Sequence, residues 1–212
     1  MDAVDEDDER EEGRVGLGRT LALSDGIFAI AMTLVAFQIQ APNLQGGAVH
    51  HLAHALGKMG ADYYVFALTF FVIGGFWLGH HRLFRQLRRA DEGFMSLNLV
   101  FLATIALLPF PSSVMGRYGG QASAVILYAT NMIAVGLLLG LLTLVAQHRN
   151  LLADSMTPAG VRRALWRSGW LVAVFAASIP VALVDANIAP FVWLAILPMR
   201  LIGRLVGDRP RS

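Results

Sequence analysis

The sequence predicts an all-α integral membrane protein, a bundle of six transmembrane helices, from three observations. The chain has 212 residues, of which 56% are hydrophobic and only 15% charged, and its mean hydropathy of +0.56 is high for a water-soluble protein. Its apolar residues form runs of about 20, the length that a helix needs to cross a bilayer. Its cations lie next to the ends of these runs, where lipid headgroups lie.

Six apolar runs lie between the charged clusters and are predicted as membrane spans. They run from Thr20 to Gln40, Asp62 to Gly79, Gly93 to Phe110, Ala122 to Val145, Trp166 to Val184 and Ile188 to Leu205. The last run contains Pro190 and Pro198 and follows a link of three residues. A tight helical hairpin formed by spans five and six would explain both features.

The arginine distribution predicts the orientation, because cytoplasmic loops retain Lys and Arg. Fifteen of the 17 cations lie on one side. They precede span one, lie between spans two and three, lie around the junction of spans four and five, or end the chain from Arg200 onward. Only Lys58 and Arg117 lie on the other side. Both termini are therefore predicted in the cytoplasm, and a five-span protein would place the last arginines outside.

The domain organisation follows from the same pattern. Residues 1–14 hold eight of the 15 carboxylates and are predicted to be an acidic, disordered cytoplasmic tail. Residues 15–206 form the six-helix transmembrane domain, and residues 207–212 a cytoplasmic C-terminal tail. The absence of cysteine excludes disulfides and thiolate metal sites.

The predicted outer segment from Pro42 to Gly60 contains three histidines: His50, His51 and His54. His50 and His54 would share a face of a short helix as candidate metal ligands, since imidazole pairs at this spacing bind zinc. A surface helix leading into span two is the favoured interpretation. No metal and no cofactor are predicted.

Span one contains charged and polar residues that need partners. An ionisable side chain such as Asp25 is costly in a membrane unless it is paired, hydrated or functional. Trp77 and His81 lie one turn apart at the cytoplasmic end of span two, and both carry N–H donors suited to a carboxylate. The sequence thus predicts a polar network of Ser24, Asp25, Trp77, His81 and Asn98, and a family resemblance implies that Arg19 belongs to it. A structural clamp is favoured over direct contact with ions, and His80 is predicted at the membrane interface.

The start of span one also resembles a known family. The residues Arg19-x-x-x-Leu23-Ser24-Asp25-Gly26 resemble the Arg-x-x-x-Phe-Ser-Asp-Gly motif of the prokaryotic relatives of transmembrane protein 175, the endolysosomal potassium channel. The similarity continues from Ile73 to Arg82 and from Asn98 to Phe110, so it covers the first half of the chain. Leu23 replaces the family's Phe, which removes an aromatic contact and keeps the Ser-Asp pair.

The resemblance implies a potassium-permeable cation channel in the bacterial cell membrane. It implies a homotetramer around a central pore that helix one lines, with membrane lipids and potassium ions as its other partners and no nucleic acid. Ile30, five residues beyond Asp25, matches the narrowest hydrophobic constriction of the family. Leu34 and Phe37 continue this stripe, and Thr33 offers a hydroxyl beside it.

The residues themselves limit how such a channel would select ions. The chain has no Thr-Val-Gly-Tyr-Gly loop, so a carbonyl selectivity filter is not predicted. Apolar rings that squeeze the hydration shell would favour the weakly hydrated potassium ion over sodium.

Two other function classes stay open. In a proton-coupled secondary transporter, Asp25 and His81 would bind and release the coupling proton. The spans lack inverted repeats, which disfavours this alternative. The second open class is a membrane scaffold protein that transports nothing. An enzyme is not predicted, because no nucleophile, base and metal set converges at one depth.

Overall fold

The computed structural model describes residues 2–42, 52–153 and 155–196, with the backbone alone for residues 2–15. The helices are α1 (Asp2–Ala36), α2 (Leu52–Gly57), α3 (Gly60–Phe84), α4 (Glu92–Leu107), α5 (Pro109–Tyr118), α6 (Ala122–His148), α7 (Pro158–Val184) and α8 (Ala189–Val192), and a 3-10 helix (Trp193–Ile196) follows. The fold class of the described chain is all-α, as predicted.

Five helical segments are long and apolar enough to cross a membrane. They are Gly16–Ala36, Gly60–Phe84, Glu92–Tyr118, Ala122–His148 and Pro158–Val184. These segments coincide with the first five predicted spans. The chain is therefore a multi-pass membrane protein.

Only the start of the sixth predicted span, Ile188 to Leu205, lies within the described residues. The ring of Trp193 packs 5.5 Å from that of Phe175 on α7. Further back along α7, Trp170 donates its indole N–H to the carbonyl of Ala195 at 3.3 Å. The chain therefore turns back antiparallel to α7 after Val184, as a helical hairpin requires.

The first helix is longer than predicted at its N-terminal end. Helical backbone begins at Asp2, so the helix includes the segment for which the sequence predicts a disordered tail. Carboxylates are stabilised near a helix N-terminus by the partial positive charge there, and Glu and Arg are good helix formers. The other predicted tail, residues 207–212, lies outside the described residues.

The third span is built from two helices rather than one. Asp91 caps α4 by accepting a hydrogen bond from the backbone N–H of Phe94 at 2.8 Å. After Leu108 the chain continues directly into α5, whose first residue is Pro109. A proline in the first turn needs no N–H partner, so it begins a helix where the sequence analysis ended one.

The fifth span begins earlier than the predicted start at Trp166. Thr157 caps α7 by accepting a hydrogen bond from the N–H of Gly160 at 3.2 Å, and Pro158 occupies the first helical position. The first turns of α7 carry arginines, so they interrupt the apolar run. Capping determines where the helix begins, whereas polarity determines where the membrane begins.

Two glycines allow α6 and α7 to approach closely. A Cβ atom on Gly136 would lie 2.7 Å from Cγ2 of Val172, and one on Gly140 would lie 3.8 Å from Cβ of Ser168. Small residues four apart permit such close contact between membrane helices. Gly136 and Gly140 therefore let α6 pack directly against α7.

Gly136→Leu should destabilise the protein, because the added side chain would overlap Val172 and the backbone of α7. Overpacking a filled interior typically costs about 1 to 3 kcal/mol. We expect the melting temperature in detergent to fall by several degrees. Gly169→Leu is the matched control, since a Cβ at that position has no neighbour within 4 Å. Equal losses in the two variants would contradict the close packing of α6 on α7.

The loop after α3 is joined to the loop after α6 by backbone hydrogen bonds, and we call this contact the loop bridge (residues 85–91 with 149–153). The N–H of Arg88 donates to the carbonyl of Leu151 at 2.9 Å, and the N–H of Ala153 donates to the carbonyl of Gln86 at 2.7 Å. The loop bridge therefore ties the end of α3 to the end of α6.

Candidate functional site

Side chains from α1, α3 and α4 form a buried polar network near the arginine-rich end of the bundle. Asn98 is at its centre and is 1% exposed. Its Oδ1 accepts a hydrogen bond from His80 Nε2 at 2.9 Å, and its Nδ2 lies 3.5 Å from the hydroxyl oxygen of Ser24. The Ser24 hydroxyl in turn donates to the carbonyl of Thr20 at 2.8 Å. Asn98 therefore joins α1 to α3 through α4.

His80 is a central member of this network, so the prediction that it lies at the membrane interface is wrong. Its side chain is fully buried, and its ring stacks against Phe84 at 4.3 Å and Phe101 at 5.3 Å. Because an amide oxygen only accepts, Nε2 of His80 must carry the hydrogen. Its Nδ1 has no partner among the described residues.

The helical period of α3 contained a signal for this position. His80 lies four residues after Phe76 and four before Phe84, and all three side chains are buried. A histidine at this spacing shares the buried face with the two aromatic residues.

Asp25 has one side-chain partner within the described residues. Nε1 of Trp77 donates to its Oδ1 at 2.7 Å. His81 stacks on the Trp77 ring at 5.5 Å, and its Nδ1 has no hydrogen-bond partner in the described chain. The sequence predicted that both Trp77 and His81 would donate to Asp25, whereas in the structure only the Trp77 indole does.

Arg19 is not joined to the network in this structure. Its side chain is exposed, and no hydrogen bond or salt bridge links it to another described residue. Arg19 precedes Asp25 by six residues, which is more than one and a half helical turns, and this spacing separates the two side chains along α1.

The two sides of α1 differ in burial. Ser24, Phe28, Ala31 and Val35 recur at helical spacing and are each exposed by 1% or less. A second side, about 120° around the helix from the first, consists of Leu23, Ile30, Leu34 and, one residue past the helix end, Phe37; we call it the open face. These side chains are exposed by 52%, 59%, 43% and 82%. The other described residues of this chain therefore leave the open face largely uncovered.

Thr33 is also exposed beside the open face. Its hydroxyl donates to the carbonyl of Ile30, one turn earlier, at 2.8 Å. Because the hydroxyl hydrogen is used within the helix, the oxygen lone pairs point away from it and stay available to a cation or to water.

A second polar cluster, which the sequence analysis missed, lies at the other end of the bundle. The hydroxyl of Thr69 lies 2.9 Å from the hydroxyl of Tyr128 and 3.2 Å from the hydroxyl of Ser112. Ser112 also lines a cavity of about 290 Å³ whose other polar residues include Asp62 and Arg117. The three hydroxyls come from three different helices, α3, α5 and α6, so no spacing within one helix indicated their contact.

Of the three histidines considered as metal ligands, only His54 is described, and it is exposed on α2. His50 and His51 lie outside the described residues. Within the described chain, no three His, Cys, Asp or Glu side chains are grouped for a metal ion.

Together these features define a class of protein. The chain is a multi-pass helical membrane protein whose first helix is held by buried hydrogen bonds on one side and presents an apolar face on the other. Residues 19–109 match the family model described as the endosomal/lysosomal potassium channel TMEM175. The first half of the chain is therefore similar to this family.

Two curated relatives are named as ion channels. A potassium channel of Streptomyces collinus is 38% identical over 124 residues, which cover 57% of this chain and 59% of that protein. A potassium channel of Chamaesiphon minutus is 34% identical over 101 residues, which cover 48% of this chain and 50% of that protein. The chain thus spans between half and three fifths of the length of these relatives.

A solved structure supports the fold over most of the chain. The crystal structure described as a lysosomal potassium-selective channel TMEM175 homologue from Chamaesiphon minutus matches with a TM-score of 0.76 and 22% identity. The match covers 92% of this chain and 100% of that chain. The second half of this chain therefore shares the fold as well.

Proposed function

We propose that this protein is a potassium-permeable cation channel whose pore is lined by the open face of α1. The observation on which this depends is the burial of α1, because Ser24 and Phe28 are buried against the bundle while Ile30 and Phe37 are 59% and 82% exposed. The potassium channel relatives support the choice of ion.

The assembly that best uses this surface is a homotetramer. One helix cannot enclose a pore, whereas a closed ring of identical subunits places the same face of each α1 at the symmetry axis. The resemblance to the TMEM175 family implies that this ring has four subunits. In this assembly Ile30 of each subunit forms the narrowest ring, and Leu34 and Phe37 form rings one and two turns further along.

Selectivity would arise from dehydration at these rings. Apolar side chains around a narrow bore make a water column unfavourable, so an ion must shed part of its hydration shell. Potassium loses water more readily than sodium does. Four Thr33 oxygens, whose hydrogens are already bonded to Ile30 carbonyls, could replace part of the lost water. No carbonyl filter is needed, and the permeant potassium ion is the only small ligand proposed.

The polar network would act as a clamp that holds α1 in register against α3 and α4. The buried bonds of Ser24, Asn98 and His80, together with the Trp77 bond to Asp25, support this role. His81 adds a ring contact to Trp77. Arg19 is proposed to join this clamp at the boundary between two subunits, because its side chain is exposed in the single chain. The proton-coupled transporter is disfavoured, since His81 is not hydrogen-bonded to Asp25.

Potassium flux out of liposomes tests the channel directly. Liposomes that contain the purified protein and hold more potassium inside than outside should develop a membrane potential that a voltage-sensitive dye reports, and a matched sodium gradient should give a smaller potential. A tetrameric mass should be found in the same preparation. Flux that saturates and requires a proton gradient would contradict the proposal, and a conducting monomer would contradict the shared pore.

Both termini are proposed to be cytoplasmic in a bacterial cell membrane. A green fluorescent protein fused after Ser212 should fluoresce, and alkaline phosphatase fused there should be inactive, because the phosphatase folds only outside. Phosphatase fused after Gly120, in the link between α5 and α6, should be active as the control. The opposite result at Ser212 would exclude six spans.

A further inference from the structure

The cavity of about 290 Å³ lies where the end of α1 meets α3 and α5, and we call it the polar cavity. Arg117 on α5 donates to Oε1 of Gln40, just after α1, at 3.5 Å. Asp62 on α3 also lies close to α5, since a Cβ atom on Gly116 would be 3.4 Å from its Oδ1. The volume is at the lower end of the range for small-molecule sites.

Two opposite charges line the polar cavity without neutralising each other. Asp62 and Arg117 are both in its wall, yet the salt bridge found between described side chains joins Asp91 to Arg149 instead. The link between α1 and α2, residues 43–51, contains no Asp, Glu, Lys or Arg, so it offers no carboxylate to Arg117. A ligand that carries both an ammonium and a carboxylate group complements both side chains.

The hydroxyl of Ser112 adds a hydrogen-bond donor to this wall. Ser112, Thr69 and Tyr128 have three hydroxyl hydrogens and form two hydrogen bonds with one another, so one hydrogen remains. Thr69 and Tyr128 are fully buried, whereas Ser112 lines the cavity. A buried hydroxyl hydrogen without an acceptor is costly. The remaining hydrogen is therefore best placed on Ser112 and directed into the cavity, where a ligand carboxylate would accept it.

The rest of the wall is largely apolar. Val35, Ile39, Val65 and Phe66 line the cavity, and they come from the end of α1 and the first turns of α3. An aliphatic group on the ligand would lose contact with water against these side chains, which is favourable in proportion to the area covered. An inorganic ion would leave this part of the wall uncovered.

We infer that the polar cavity is a binding site for an α-amino acid with an aliphatic side chain. Asp62 accepts hydrogen bonds from the α-ammonium group, and Arg117 and Ser112 donate to the α-carboxylate. The aliphatic side chain packs on the apolar wall. The site is built from three helices of one chain, and it is independent of whether the open face of α1 conducts ions.

Isothermal titration calorimetry of the purified full-length protein in detergent tests this site with L-leucine. The analogue 3-methylbutylamine is leucine without its carboxylate, and 4-methylpentanoate is leucine without its ammonium group. Each analogue should bind on the order of tenfold to a hundredfold more weakly than leucine, because it lacks one charged hydrogen-bonding group. Glycine should bind weaker than leucine by about tenfold or more, because it lacks the aliphatic side chain. These ligands test the site on the unmodified protein.

Two variants assign the ligand charges to individual side chains. Asp62→Asn should weaken leucine binding by about tenfold or more and leave the binding of 4-methylpentanoate unchanged. Arg117→Gln should weaken leucine binding equally and leave the binding of 3-methylbutylamine unchanged. Asp185→Asn and Lys58→Gln are the matched controls and should keep wild-type affinity, since both residues lie at the same end of the bundle and neither lines the cavity.

Three results would overturn the site: no leucine binding to the folded wild-type protein, analogues that bind as tightly as leucine, or equal losses in the control variants. The liposome potassium flux separates this outcome from a failure of the proposed function. A protein that conducts potassium and does not bind leucine contradicts the amino acid site alone.

Discussion

Ile30→Asn should raise the potassium current and weaken the discrimination between potassium and sodium. In the proposed tetramer, four amides would replace four apolar side chains at the narrowest ring, and each amide can hydrogen-bond water and coordinate an ion. The dewetting barrier should fall as a result. We expect a rise in unitary current on the order of tenfold, which corresponds to a barrier lower by about 1.4 kcal/mol.

Leu137→Asn is the matched control for this experiment. Leu137 is 58% exposed against 59% for Ile30, and it lies on α6, which is not proposed to line the pore. The same chemical change should leave current and selectivity unaltered there. If Ile30→Asn behaves like Leu137→Asn in a correctly assembled tetramer, Ile30 does not line the constriction.

Asn98→Leu should lower the stability of the folded protein more than changes at other polar positions of α1, α3 and α4. It removes the acceptor of His80 Nε2, which is fully buried among aromatic rings, and an orphaned buried donor costs about 1 to 3 kcal/mol. The bond to Ser24 contributes less, since 3.5 Å is at the limit of hydrogen-bond geometry. Thermal unfolding in detergent should show a melting temperature several degrees lower and a smaller tetramer yield.

Two variants distinguish a structural clamp from a proton-binding site. Leu99→Ala changes the neighbouring residue, which is 56% exposed, and should leave the melting temperature almost unchanged. Asp25→Asn keeps an oxygen that accepts from Trp77, so a clamp should survive it with normal flux. Loss of transport in a stable Asp25→Asn protein would support proton coupling, and normal stability in Asn98→Leu would contradict the clamp.

The membrane spans could be predicted because hydropathy depends on composition alone. A run of apolar residues of bilayer length is stable only in lipid, whatever its neighbours are. The ends of the spans were less accurate for the same reason. Thr157 and Asp91 begin α7 and α4 by capping hydrogen bonds, which do not follow hydropathy, and Pro109 begins a helix rather than ending one.

The site was predicted in part. A carboxylate at Asp25 needs a partner in a membrane, and Trp77 was the expected donor. The sequence prediction chose the wrong one of two adjacent histidines, although the spacing of His80 from Phe76 and Phe84 indicated that it lies on the buried face of α3. His80 and His81 differ by about 100° around α3, so the rotation of the helix decides which one meets Asn98, and the packing of Phe84 and Phe101 sets that rotation.

The sequence by itself determined that this chain is a helical membrane protein, where its spans lie and which residues of α1 are polar. Hydropathy and motif spacing are local properties, because each depends only on residues that are close together in the sequence. Only the tertiary structure decided which side of α1 is buried and that Asn98 joins Ser24 to His80. The physical reason is that both depend on contacts between helices, and the loop bridge and the glycine-mediated packing of α6 on α7 are formed by residues far apart in the sequence.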